Sequence, residues 1–253
     1  MHPIAFQIGA LTIRWYGVMA ALGFLAAGFV LNHYRKYAKV TSDQVSTMLM
    51  LSMISGIAGA RAFYVIQFFD YYRNDLWEII RIDHGGLVFY GGLLAIPVLI
   101  VYAKLQKIDF VRVLDITAPA LVMGHAFGRV GCFLNGCCYG KLTESCFGVV
   151  YPEASAPAFA DHLARHPVQL YESAENIAVF FLLSATLKRT PRGCTTTAYL
   201  GIYGLLRFIN EFFRGDNYRY FGLFTIAQLI GLGMIPLMAV LFGYFYHAGK
   251  KRI

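Results

Sequence analysis

Charge is scarce in this 253-residue chain. Only 14% of its residues are Asp, Glu, Lys or Arg, whereas soluble domains run near 25%. That excludes an ordinary water-soluble domain, and a 58% hydrophobic content points the same way. The five cysteines include no C-x-x-C pair, which argues against a membrane thiol oxidoreductase and a paired zinc knuckle. No heptad pattern, low-complexity tract or long internal repeat is visible, so the two-fold repeated halves common among transporters are not apparent. The start, MHPIAFQIGALTIRW, lacks a basic n-region and a small-residue cleavage site, so a removable signal peptide is not expected.

What the chain has instead is long apolar runs. About 20 apolar residues cross a bilayer core as a helix, and the sequence predicts seven such spans, at about 15–33, 45–69, 85–103, 113–131, 172–187, 197–213 and 222–246. The expected fold is an all-α polytopic membrane domain covering 1–253, with a small outer cap at about 132–171. The Pro- and Ala-rich stretch PEASAPAFADHLARHP in that cap reads as loop with one short helical piece. Bases outnumber acids by 22 to 14, but their distribution argues against nucleic acid as the partner. Four clusters of three (Arg35, Lys36, Lys39; Lys104, Lys107, Arg112; Lys188, Arg189, Arg192; Lys250, Lys251, Arg252) fall on one side of the expected spans. By the positive-inside rule that side is cytoplasmic, which puts the N-terminus outside and the C-terminus inside.

Arginines then stand out where charge is costly. Arg61, Arg129 and Arg207 lie in expected spans or at their outer ends, and Arg214 follows the sixth. Each buried Arg costs about 2.5–3.5 kcal/mol on insertion scales, so three cost as much as many whole domains gain on folding. Pairing with Asp115, Glu175 or Glu211 is the structural alternative, but acids are few. At 100° per residue Tyr203, Arg207, Glu211 and Arg214 share one helical stripe. Glu211 pairs with Arg207 at i+4, leaving Arg214 for an external anion. His125 and Arg129 are also i,i+4 neighbours. Asp115 projects from the same face about 21 Å deeper and reads as a bundle-packing contact rather than a catalytic group. Glycine pairs flank Phe89 and Tyr90 in HGGLVFYGGLL (84–94); such pairs permit close helix packing or a local break against protein or a wet cavity. Ser52, Gly56 and Ala60 have plain packing spacing. Planar guanidiniums suit bidentate phosphate recognition, so the residues alone describe an outward-facing intramembrane cavity for an anionic lipid or similar amphiphile.

At GRVGCFLNG (128–136) the sequence resembles the bacterial prolipoprotein diacylglyceryl transferases. The resemblance continues through RWYG (14–17), GAR (59–61), GGLVFYGGL (85–93), LD with AP (114–119), RHPVQLYE (165–172) and YGLLRFINEFFR (203–214). The strings stand in the family's order over nearly the whole chain. The resemblance implies transfer of the diacylglyceryl group of phosphatidylglycerol to the lipobox cysteine of a lipoprotein precursor, releasing glycerol phosphate, with no metal or organic cofactor. It implies a bacterial inner-membrane location. The family's functional arginines correspond to Arg129 and Arg207, with supporting or substrate-binding roles for Tyr16, Arg61, Asn135, Gly136, Tyr203, Glu211 and Arg214. RHPVQLYE contributes His166, Gln169, Tyr171 and Glu172 near the mouth.

Departures from the pattern affect the base and the cysteines. Tyr90 stands where many members have a histidine often proposed as the base, and His84 replaces a residue that is often acidic. Tyr90, His84 and His166 are therefore the candidate bases. Cys132 replaces an asparagine, and Cys137 a common glutamate. For the C-x4-CC-x7-C run, a disulfide of Cys137 or Cys138 with Cys146 and a set of unpaired thiols both remain open. A transporter or flippase for an anionic lipid is the rival function.

Overall fold

A computed structural model describes residues 3–9, 11–73, 75–81, 86, 88–152, 162–215 and 224–250. Eight helices dominate the described residues: α1 (Trp15–Ala38), α2 (Ser42–Gln67), α3 (Phe69–Tyr72), α4 (Ala95–Leu105), α5 (Phe110–Asn135), α6 (Val168–Leu187), α7 (Cys194–Asn210) and α8 (Ile226–Lys250). A short antiparallel hairpin, β1 (Ile4–Ile8) with β2 (Leu11–Arg14), precedes α1. Val149–Val150 (β3) pairs with Ala164–Arg165 (β4).

The chain is thus an α-helical protein with several long apolar helices, in keeping with a polytopic membrane fold. All seven expected spans contain helix, but four helices among the described residues are long and apolar enough to cross a membrane: α1, α2, α5 and α8. The other three fall short for separate reasons. The third expected span begins as a 3-10 segment, Phe89–Leu94, before α4, which is only 11 residues long. Helix α6 has the length, but its first turns bury Gln169, Glu172, Ser173 and Asn176. Helix α7 has 17 residues and opens on three threonines.

The chain forms two compact units, one of Met1–Tyr34 with Leu114–Ile253 and one of Arg35–Val113. In the smaller unit, Thr41 and Gln44 close a reciprocal capping box at the start of α2. Further along, Gly59 on α2 lies against Gly91 in the 3-10 segment, so closely that a methyl on either residue would collide with the other's carbonyl oxygen. The second of the glycine pairs noted in the sequence thus serves close backbone packing through Gly91.

The larger unit holds the remaining core. Ala118 and Val122 of α5, Val179 and Leu183 of α6, and Tyr199 of α7 form a buried cluster. Asp115 sits beneath it. Its carboxylate accepts from Gly193 N at 2.6 Å, Thr196 N at 2.9 Å and Thr196 Oγ1 at 2.9 Å. Gly193, at φ +86°, is the N-cap of α7 and offers no side-chain acceptor. Asp115 thus caps α7 from a neighbouring helix, satisfying amide donors that a helix start leaves open. The packing role expected for Asp115 is what the structure shows.

The described residues between α5 and α6 include the short strands β3 and β4, and the short helical piece expected in this segment falls largely on residues 153–161, which lie outside the described set. Gly140 N donates to His166 O (2.9 Å), His166 N to Lys141 O (3.0 Å) and Lys141 N to Phe213 O (2.8 Å). Lys141 Nζ also donates to Phe212 O at 2.6 Å. These bonds stitch the cap to the chain leaving α7, where the last arginine of the stripe lies.

Candidate functional site

Helices α5, α6 and α7 each direct a polar stripe to one place. Helix α5 contributes His125 and Arg129, four residues apart on one face. Helix α6 contributes Glu172, Glu175 and Asn176, spaced i, i+3, i+4. Helix α7 and its last turn contribute Tyr203, Arg207, Glu211 and Arg214. Ser173 Oγ donates to Ala126 O at 3.1 Å and fixes α6 against α5 at this level.

Glu172 is the centre of the cluster. Arg129 Nε lies 2.5 Å from Glu172 Oε2, and the same Nε is 3.1 Å from His125 Nε2. Arg207 Nη1 and Arg214 Nη1 each stand 3.7 Å from Glu172 Oε1. Arg207 Nη2 pairs with Glu211 Oε2 at 3.0 Å. Asn210 Nδ2 donates to Glu175 Oε2 at 2.5 Å, which holds the end of α7 to α6. His125 Nε2 receives the Arg129 N–H, so that nitrogen is the unprotonated one and the imidazole is neutral. His125 therefore orients Arg129 and has no lone pair left there for proton abstraction.

Three guanidiniums surround two carboxylates, Glu172 and Glu211, that are 5% and 2% exposed. The ion-paired set carries one surplus positive charge, enough for one phosphodiester. Arg207 Nη1 and Glu172 Oε1 are among the buried atoms that lack a hydrogen bond. Their 3.7 Å separation is an ion-pair distance beyond hydrogen-bond reach. A buried polar atom left in this state costs about 1–3 kcal/mol. A donor kept open at that cost, inside a positive cluster, is suited to an incoming anion.

The outer end of the cluster is a turn. Helix α5 stops at Asn135, and Gly136 adopts φ +77°, the left-handed conformation that ends many helices. Gly136 N and Cys137 N return to Phe133 O and Cys132 O, each at 3.1 Å. Tyr16 on α1 packs beside Gly131, which has no side chain to keep it away.

The chain matches the family model described as prolipoprotein diacylglyceryl transferase over residues 3–244. It belongs to that family. It is 36% identical to the phosphatidylglycerol–prolipoprotein diacylglyceryl transferase of Pasteurella multocida (strain Pm70), over 99% of this chain and 94% of the relative. The enzyme of the same name from Clostridium botulinum (strain Langeland) is 37% identical over the full length of both, and that of Geobacter sulfurreducens is 36% identical over 95% of each.

In this diacylglyceryl transferase family member, Tyr203, Arg207, Glu211 and Arg214 gather as the stripe predicts, with the Tyr203 ring 6.1 Å from that of His125, and Arg129 joins them from α5 through Glu172. Arg214 differs from expectation. It is ion-paired with Glu172, its side chain is 8% exposed, and it is not left over for an external anion. Gln169 is 1% exposed and committed at both ends, accepting from Tyr151 Oη at 2.9 Å and donating to Cys137 O at 2.7 Å. The structure makes it a rivet between cap and turn. His166 lies in the cap with Nδ1 3.2 Å from Tyr171 Oη, and its ring packs edge-on to Phe213.

Arg61 belongs to the smaller unit. Its Nε donates to Ile79 O at 2.8 Å, Nη1 to Gly86 O at 3.1 Å, and Nη2 to Glu78 O and Arg81 O at 2.5 and 3.0 Å. Its guanidinium also lies 5.1 Å from the centre of the Tyr72 ring. Arg61 thus ties together the backbone at Glu78, Ile79, Arg81 and Gly86. Tyr90 has its backbone in the 3-10 segment while its side chain lies outside the described residues, as does all of His84.

All five cysteines are unpaired thiols. The left-handed turn at Gly136 brings Cys137 and Cys138 back to Cys132, and the Cys146 disulfide is not formed. The sequence reading undervalued two residues, His125 and above all Glu172. The signal for Glu172 was present in the polar spacing of residues 169, 172, 173 and 176 along α6.

Proposed function

We propose that this protein transfers the sn-1,2-diacylglyceryl group of phosphatidylglycerol to the thiol of the lipobox cysteine in lipoprotein precursors. Its partners are phosphatidylglycerol, the precursor's signal peptide and the surrounding membrane lipids. The observation that carries the reading is the buried three-arginine, two-glutamate cluster with Arg207 Nη1 lacking a hydrogen bond. Family membership supplies the reaction.

The peptide thiolate attacks the glycerol carbon that bears the phosphate ester. The C–S bond forms as the C–O bond breaks, and the electron pair leaves on oxygen as glycerol phosphate. Making a thiolate at pH 7 from a thiol of pKa near 8.5 costs only about 2 kcal/mol. The alkyl–oxygen displacement is the harder part, so positioning the lipid and neutralising the leaving phosphate dominate. Arg207 and Arg129 take the phosphate, with Glu172 and His125 holding Arg129 in place. Glu211 and Arg214 position Arg207 and complete the field, and Tyr203, Tyr16, Asn135 and Gly136 shape the pocket wall. Tyr90, His84 and His166 are the candidate bases, and single variants followed by pH–rate profiles rank them. Gln169 and Arg61 position backbone.

The protein resides in the bacterial inner membrane. The seven apolar helical stretches cross it, with the N-terminus periplasmic or extracellular and the C-terminus cytoplasmic. The four basic clusters on one side support this orientation, and α6 and α7 cross with their polar faces against the arginine cluster. No metal or organic cofactor enters the reaction as written.

The test is direct. Purified protein, phosphatidylglycerol and a lipobox peptide should yield a peptide carrying one diacylglyceryl group in thioether linkage. Lipid movement across vesicles with no such product would favour the transporter reading instead.

A further inference from the structure

The transfer reaction makes no use of the three cysteines at the end of α5, yet their placement is highly constrained. Cys132 sits in the last turn of the helix. Gly136 reverses the chain, and Cys138 itself adopts φ +62°, a left-handed conformation that costs a residue with a side chain about 1–2 kcal/mol. The turn is held from inside by the Cys137 N–H to Cys132 O bond and by Cys137 Sγ at 3.7 Å from the same oxygen. It is held from outside by Gln169, whose Nε2 donates to Cys137 O. In consequence the sulfurs of Cys132, Cys137 and Cys138 all lie within 4.8 Å of one another, each half-buried. A preorganised set of converging ligand atoms on a pinned turn distinguishes a site from a chance cluster.

We propose that these three sulfurs form a binding site for one soft, thiophilic divalent cation, with Zn2+ the physiological representative. Thiolate ligands select such cations over Mg2+ or Ca2+. A Zn–S bond of about 2.3 Å puts tetrahedral ligands about 3.8 Å apart. The sulfurs therefore need to close by roughly 1 Å at most, within the reach of side-chain rotation. The sequence argument against a zinc knuckle concerned a second cysteine or histidine pair, which a three-sulfur site does not need. The fourth position falls to water. Three thiolates and one dication leave a single negative charge. The proposal rests on the sulfur geometry, so its binding test is read separately from the transfer reaction.

Full-length protein in detergent, reduced and stripped with chelator, is titrated with Cd2+ while thiolate-to-metal charge-transfer absorbance is followed. Zn2+ affinity is then measured by competition with a chromophoric chelator. The expected result is saturation at one ion per chain. C132S, C137S and C138S each weaken binding by more than the ~10–100-fold typical of an outer-shell change, while C146S and C194S bind as the parent does. Because a serine variant can misfold, a second measurement uses the unaltered protein: bound Zn2+ should shield Cys132, Cys137 and Cys138, but not Cys146, from a maleimide. Three outcomes overturn the proposal. They are no saturable one-per-chain binding, binding that survives the triple serine variant, and a disulfide among the three in protein isolated without reductant.

Discussion

Removing Asp115 tests whether the deep carboxylate of α5 is structural. In Asp115→Ala, α7 loses its acceptor for Gly193 N, Thr196 N and Thr196 Oγ1. Loss of an N-cap costs about 0.5–2 kcal/mol. Here the Gly193 amide is also buried, and an unsatisfied buried donor adds about 1–3 kcal/mol. A total of about 1.5–5 kcal/mol follows. At roughly 2–4 °C per kcal/mol for a chain of this size, the unfolding midpoint should fall by about 3–20 °C. Asp115→Asn keeps one acceptor oxygen but turns an NH2 toward a backbone donor, so it should fall between the parent and the alanine variant. The assay is thermal unfolding of purified protein in one detergent, with transfer activity measured well below every midpoint. Full activity at low temperature with a lowered midpoint is expected. An unchanged midpoint, or activity lost while the midpoint holds, would make Asp115 part of the chemistry and refute the capping account.

Other consequences follow from the same geometry. Gly59→Ala should destabilise the protein by about 1–3 kcal/mol or more through overpacking against the Gly91 carbonyl, seen as a lower midpoint, while Gly17→Ala, where a methyl meets nothing within 4 Å, should not. Tyr151 lies in the cap, where burial is the main force pushing its phenol up to about 12, partly offset by its hydrogen bond to Gln169. A raised folded value favours the protonated phenol, so this contribution is intact below the reference value near 10 and is lost as pH rises through about 12. The stability gap between the parent and Tyr151→Phe should therefore shrink over that window, and a gap that widens contradicts the burial argument. Glu172→Gln removes the carboxylate shared by Arg129, Arg207 and Arg214. It should lower the transfer rate at saturating lipid by loosening the arginines, and an unchanged rate would show that Glu172 does not order them.

The helices and the arginine stripe were readable because helical periodicity is local. Tyr203, Arg207, Glu211 and Arg214 share a face by spacing alone, and the His125–Arg129 contact is an i,i+4 neighbour pair. What could not be read depended on helices meeting. Glu172 becomes the hub only because α6 meets both α5 and α7, and Arg214 turns inward to it for the same reason. The cap strands are two residues long, too short for an alternating pattern, and their pairing partners lie far apart in sequence. The third expected span is a continuous apolar run, but close packing of Gly91 on Gly59 accompanies its 3-10 start. The convergence of three sulfurs was hidden as well, since it depends on a left-handed turn at Gly136 and another at Cys138.

The central claim is that Arg129 and Arg207 stabilise the departing phosphate. Its most direct test is the rate of diacylglyceryl transfer from phosphatidylglycerol to a lipobox peptide by Arg129→Ala and Arg207→Ala, each first shown to keep the parent's unfolding midpoint. The account predicts that both lose transfer, by at least the ~10²–10³-fold typical of deleting one donor to developing negative charge. Near-parent turnover by either folded variant would remove that arginine from the mechanism.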